Sequence, residues 1–112
     1  MWGCGLHRED AVRSFIPGVY VRFSEHEFGK EFDTLDIKML NASAGEFKIT
    51  RRWRYERVGE DGKLQPEYKL TVTTVVYDPA HHILQERRYG KIYSFDMNAG
   101  CLFNGPNKFQ KL

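Results

Sequence analysis

The feature that most constrains this chain is alternation. From Phe47 to Arg57 the side chains swap character at nearly every step. Phe47, Ile49, Trp53 and Tyr55 fall on one side, and Lys48, Thr50, Arg52, Arg54 and Glu56 on the other. Phe32 to Leu40 repeats the pattern, with Leu35, Ile37 and Met39 opposite Thr34, Asp36 and Lys38. A period of two is the signature of a strand. One apolar and one polar side place such a strand with one face in a core and the other in water.

The rest of the chain carries the same reading. Gly18 to Phe23 is a first strand, and the polar stretch Ser24 to Glu31 reads as a loop around Gly29. Asn41 to Gly45 is a turn. Asp61-Gly62 tolerates the positive φ of a tight hairpin, so Gly59 to Gly62 joins two antiparallel strands. Tyr68 to Tyr77 has the densest β propensity in the chain, through Val72, Thr73, Thr74, Val75 and Val76. Short strands follow at Ile83 to Arg87, Lys91 to Phe95, Cys101 to Phe103 and Lys108 to Leu112, separated by turns at Asp78-Pro79, Tyr89-Gly90, Asn98 to Gly100 and Asn104 to Asn107. Ahead of them, Ala11, Val12, Phe15 and Ile16 share one helical face before Pro17-Gly18 stops any helix, so residues 1–17 read as an N-terminal tether with a helical turn or two. About eight strands joined by links this short must be antiparallel neighbours, because parallel crossovers need a dozen residues or more. The expected fold class is all-β: an antiparallel meander over residues 18–112 that curls into a small barrel or half-barrel, with a β-sandwich as the alternative.

Length and charge narrow the function. The 112 residues fit one domain. The chain balances 17 basic against 15 acidic side chains, which argues against a dedicated nucleic-acid binder. Cys4 and Cys101 match neither a zinc spacing nor a CxxC pair. They are two unrelated thiols or one disulfide closing almost the whole chain.

Several stretches are similar to the lipocalin-like lipoproteins of anaerobic gut bacteria. They are Phe15-Ile-Pro-Gly-Val-Tyr-Val-Arg22, Phe28-Gly-Lys-Glu-Phe-Asp-Thr-Leu35, Arg51-Arg-Trp-Arg-Tyr-Glu-Arg57 and Gln65-Pro-Glu-Tyr-Lys69. Gly90-Lys-Ile-Tyr-Ser-Phe95, Leu102-Phe-Asn-Gly105 and Lys108-Phe-Gln-Lys111 continue the likeness to the end of the chain. The resemblance implies an exported protein of the cell envelope, periplasmic or at the surface, with a lipidated cysteine, a short lipocalin-like barrel and no assigned reaction. Met1-Trp2-Gly3-Cys4-Gly5 looks like the end of a lipobox, which makes Cys4 the expected lipid attachment. The hydrophobic core of such a signal does not precede Gly3, so the start is expected to lie late in a longer native chain. Gly18-Val19-Tyr20 echoes the Gly-x-Trp that opens lipocalins, with Tyr in place of Trp.

Candidate binding residues follow from the barrel reading. Arg51 shares the face of Phe47, Ile49, Trp53 and Tyr55, and a charge aimed into a barrel needs a partner or a wet cavity. Asp33 has the parity of Leu35 and is the expected partner. An interior Arg51 that orients an acid group, with Trp53, Tyr55 and Tyr20 around it, makes a ligand site for a small apolar or amphipathic molecule. A plain structural Arg51–Asp33 pair near a rim, or a bulge that turns Arg51 outward, is the alternative. The run Arg51 to Arg57 also offers a single-stranded nucleic-acid surface of cations and stacking rings, but alternation puts Trp53 and Tyr55 opposite Arg52 and Arg54. His7, His26, His81 and His82 make no chelating pattern, and Ser24, Ser43 and Ser94 lack a nucleophile context. No cofactor, metal or catalytic residue is expected. The leading expectation is a noncatalytic envelope lipoprotein that binds a small ligand or a partner protein. A structural accessory module of a protein complex is the remaining alternative. An apolar interior pocket favours the ligand, and an interior filled with side chains favours the protein.

Overall fold

Eight strands form a closed antiparallel barrel in which each strand pairs with the next and the last returns to the first. The computed structural model describes residues 11–112 other than Glu60 and Tyr89. The strands are β1 (Gly18–His26), β2 (Gly29–Asn41), β3 (Glu46–Val58), β4 (Leu64–Asp78), β5 (Ile83–Glu86), β6 (Ile92–Asp96), β7 (Cys101–Asn104) and β8 (Asn107–Lys111). The all-β meander and its closure are as the sequence predicts.

Closure rests on few residues. β1 meets β8 only at Tyr20↔Lys111 and Val21↔Gln110, with Leu112 N–H donating to the Val19 carbonyl beside them at 2.9 Å. β4 meets β5 only from Val75 to Asp78. Yet β2, β3 and β4 are 13, 13 and 15 residues long, whereas β5 to β8 have four or five each. The surplus has nowhere to go but outward. Beyond the barrel mouth, residues 22–32, 52–59 and 61–72 continue as a four-stranded sheet, here called the arm, and the molecule is drawn out to 64 × 27 × 20 Å.

The arm explains where the strand bounds depart from expectation. Ser24 to Glu31 is not a loop. It is ladder, paired Ser24↔Glu31, Glu25↔Lys30 and His26↔Gly29 around a two-residue turn. Its polarity reflects an arm wet on both faces. β4 likewise begins at Leu64 and takes in Pro66, a position where the missing N–H is tolerated because it faces an unpaired edge.

The barrel is filled. Tyr20, Leu35, Ile37, Phe47, Ile49, Val75, Leu84, Leu102 and Phe109 are buried on its inner face. A helical turn at residues 11–15 closes the end away from the arm. Val12 and Ile16 enter the core from it, Phe15 packs against it, and the Tyr20 hydroxyl donates to the carbonyls of Ile16 at 2.9 Å and Phe15 at 3.1 Å. Lys111 lies over the Phe15 ring, 4.1 Å from its centroid, and donates to the Phe15 carbonyl. Residues 11–17 are therefore part of the barrel, whereas residues 1–10, Cys4 and His7 included, lie outside the described residues. Cys101 carries a free, buried thiol.

Candidate functional site

The mouth facing the arm is capped by a polar layer. Asp33 and Arg51 point inward from β2 and β3, as their parity requires, and meet through two parallel bonds. Arg51 Nε donates to Asp33 Oδ1 at 2.9 Å, and an Arg51 terminal nitrogen to Oδ2 at 2.7 Å. The Asp33 side chain is 2% exposed and that of Arg51 38%, so the pair has its acid in the core and its base at the rim. Donation to the Asp33 carboxylate holds the Arg51 guanidinium above its ordinary pKa.

The same layer holds a second acid that alternation also places inside. Glu86 is buried, pairs with Val75 in the ladder, and accepts a hydrogen bond from the Tyr93 hydroxyl at 3.3 Å. Its Oε1 has no partner among the described residues. Burial first, then the charge and hydrogen bond of Glu86, push the Tyr93 phenol above its ordinary value. The sequence reading misses Glu86; its parity with Leu84 on β5 is the one signal for it, and a strand of four residues makes that signal weak. Arg51 is thus committed to Asp33. Tyr20 is committed to the carbonyls that close the far end. These two do not converge on an empty chamber.

Trp53 and Tyr55 sit further out, on the face of the arm that continues the barrel interior. Their rings stack along β3, with centroids 5.9 Å apart and planes within 7°. Gly29 makes room for this: a Cβ there would meet the Glu56 carbonyl at 2.3 Å and the Tyr55 ring at 3.0 Å. Arg57 lies 5.6 Å from the Tyr55 centroid and pairs with Glu67 at 3.2 Å. Arg22 and Glu31 pair at 2.6 Å on the same side. Cations and acids offset each other across this face.

The opposite, outer face differs. Phe23, Tyr68, Leu70 and Val72 are exposed there, Tyr68 to 73%. Phe23 packs on Phe32 with centroids 5.0 Å apart, and the Arg54 guanidinium lies 4.2 Å over the Phe32 ring. Between β2, β3 and β4 runs a groove of about 730 Å³ lined by Phe32, Thr34, Arg52, Trp53, Arg54, Tyr68, Lys69 and Leu70. Three of these carry positive charge and none negative. Arg54 also contacts Glu56 at 3.3 Å. Alternation within β3 does separate Trp53 and Tyr55 from Arg52 and Arg54. The neighbouring strands β2 and β4 restore aromatics to the arginine side, through Phe32 and Tyr68.

Other polar groups serve turns. His81 bonds Asp78 at 2.8 Å, which lowers the Asp78 carboxyl from its ordinary value, and His82 bonds the Tyr77 hydroxyl at 2.8 Å. His26 lies 3.3 Å from the Ser24 hydroxyl. Among the described residues, no three His, Cys, Asp or Glu side chains come together to hold a metal ion. No protein-family model, no curated protein and no solved structure matches this chain.

Proposed function

We propose that this protein is a noncatalytic interaction module of the cell envelope, which holds out a β-sheet arm from a solid barrel to contact a partner protein. One observation carries the reading. The barrel interior is occupied by its own side chains, while a groove of about 730 Å³ lies on the arm's outer face, where Phe23, Tyr68, Leu70 and Val72 are exposed. Exposed apolar side chains interleaved with Arg52 and Arg54 are what contact sites present. Arg52, Arg54 and Lys69 suit a partner that presents acidic residues beside an apolar strip. The filled interior favours a protein over a small ligand enclosed in the barrel. The resemblance to lipocalin-like lipoproteins supports export and a lipid anchor on Cys4. Mass measurement on the protein from its native membrane tests the anchor: diacylglycerol on Cys4 supports it, and an unmodified cysteine refutes it.

The contact is tested by placing a photo-crosslinking side chain at Leu70, or at Lys108 on the barrel, in cells that make the protein. A discrete adduct from position 70 that is absent from position 108, and lost with Arg52→Glu and Arg54→Glu, is the expected result. Equal adducts from both positions, or none from position 70, overturn it.

A second reading has one observation in its favour. Arg52 and Arg54 share the outer face with Phe32 and Tyr68, and cations beside stacking rings bind single strands. A gel shift with single-stranded oligonucleotide at low salt, weakening steeply as salt rises, would establish it.

A further inference from the structure

β4 has an unpaired edge of unusual length. β3 pairs it without interruption from Leu64 to Val76, but β5 takes up its other side only at Val75. Among the described residues, no second strand pairs with residues 64–74. The direction of their backbone groups follows from two hydrogen bonds. Gly59 N–H donates to Lys63 C=O at 2.8 Å, and Tyr77 N–H to Gly45 C=O at 2.8 Å. Both belong to the same unbroken register, so odd residues of β4 bond to β3 and even residues point away. The outward groups are those of Leu64, Pro66, Tyr68, Leu70, Val72 and Thr74. Pro66 fits that assignment, since it has no N–H to lose.

An edge this long normally carries protection. The arm's other edge has it: residues 22–26 of β1 are few and include Arg22, Glu25 and His26. β4 carries Pro66 and two charges of its own, and those charges form a self-complementary pattern. Its only charges from Leu64 to Thr74 are Glu67 and Lys69. They lie one residue either side of Tyr68, at the middle of the edge.

The geometry points to a second copy of this chain as the occupant, paired antiparallel, β4 to β4, with Tyr68 opposite Tyr68 of the second copy on the two-fold axis. In that register Glu67 faces Lys69 of the second copy twice, once on each side of the axis. Leu64 faces Val72 and Pro66 faces Leu70, so one apolar strip runs across both arms. Every outward N–H and C=O from Leu64 to Val72 is used, except the Leu70 carbonyls that would need a donor from Pro66. Neighbouring registers fit worse. Centring on Lys69 or on Glu67 sets like charges opposite each other, which is destabilising across strands. Centring on Leu70 drives Leu64 toward Val76, where β5 already pairs. A two-fold axis closes the pair, and the arm edges it leaves are the short, charged stretches 22–26 of β1. This contact is made through the backbone edge of β4; Tyr68, Lys69 and Leu70 also line the groove, but Phe32, Arg52 and Arg54 take no part in it.

The experiment is sedimentation velocity on the whole chain over a range of concentrations, with far-ultraviolet circular dichroism to check each fold. The wild type should show a dimer that grows with concentration. Lys69→Glu, which sets Glu opposite Glu67 twice, should weaken it about tenfold. Glu67→Lys should do the same, losing its Arg57 contact as well, and the double exchange should restore the dimer to within a few-fold of wild type. Tyr68→Pro removes an outward N–H that the monomer does not use and should abolish the dimer. If that variant does not fold, the charge series alone decides. A monomer at the highest soluble concentration, a dimer indifferent to Lys69→Glu, or a double exchange that fails to restore it overturns the proposal.

Discussion

β3 belongs to two structures at once. Phe47 and Ile49 are fully buried in the barrel, while Trp53 and Tyr55, on the same face of the same strand, stand half-open on the arm. Nothing in their side chains separates the two pairs. The difference lies in what faces them: β5 to β8 and the helical turn close over Phe47 and Ile49, and end before Trp53. Alternation thus specifies which side of a strand is apolar, but not whether that side is enclosed. Enclosure is set by the lengths of strands elsewhere in the chain.

Removing a core side chain tests that division most severely. Phe47→Ala should cost about 3–5 kcal/mol, from lost burial and the cavity left behind. Against a typical stability of about 5–15 kcal/mol, the domain would be barely folded. Chemical denaturation would show the midpoint falling steeply. A loss under about 1 kcal/mol would mean the barrel is not the unit that holds the fold.

The two ion pairs give the next contrast. Asp33→Ala strips Arg51 of a buried partner at the mouth and should cost about 1–3 kcal/mol, held below a fully buried pair because the Arg51 side chain is 38% exposed. Glu67→Ala removes a single 3.2 Å contact on the arm, where both side chains are half-exposed, and should cost about 0–1 kcal/mol. Equal costs in denaturation would erase the distinction between mouth and arm.

These residues also show what the chain discloses in advance. Eight strands in order, the Asp33–Arg51 pair and the inward parity of Arg51 all follow from alternation and short links. The arm does not. Where both faces are wet the contrast between faces fades, and Ser24 to Glu31 reads as a loop although it is ladder. Glu86 passes unnoticed because a four-residue strand has too few positions to establish a face by pattern alone. The barrel's contents escape as well, since alternation says that Tyr20 points inward, not that its hydroxyl is taken by the carbonyls of Phe15 and Ile16.

Alkaline titration probes the buried tyrosines of the barrel. Burial raises the folded-state pKa of Tyr20 and Tyr93, whereas an unfolded tyrosine titrates at about 10. Below that pH both states hold the proton and the stabilisation is fully present. As pH rises past 10 toward the folded values, only the unfolded state releases it, and stability falls by about 1.4 kcal/mol per pH unit for each tyrosine. Tyr93→Phe should halve that slope while leaving the behaviour near neutral pH without a comparable trend. An unchanged slope in denaturation midpoints from pH 9.5 to 11, a window chosen around the value of about 10, would mean that Tyr93 is not shielded.

The smallest effect is expected at Leu70. Leu84 in the barrel is fully buried, and Leu70 on the arm is 66% exposed. Truncating the first belongs with core losses of about 2–5 kcal/mol. Leu70→Ser, measured where the chain is dilute, should change stability by no more than about 0.5 kcal/mol, the scale of a surface strand position. A larger loss would show that the outer face of the arm packs against something within the same chain, and the apolar strip would then be core after all. Small loss in dilute denaturation, joined to a loss of partner contact at position 70, is the pattern that separates a surface kept for binding from one kept for folding.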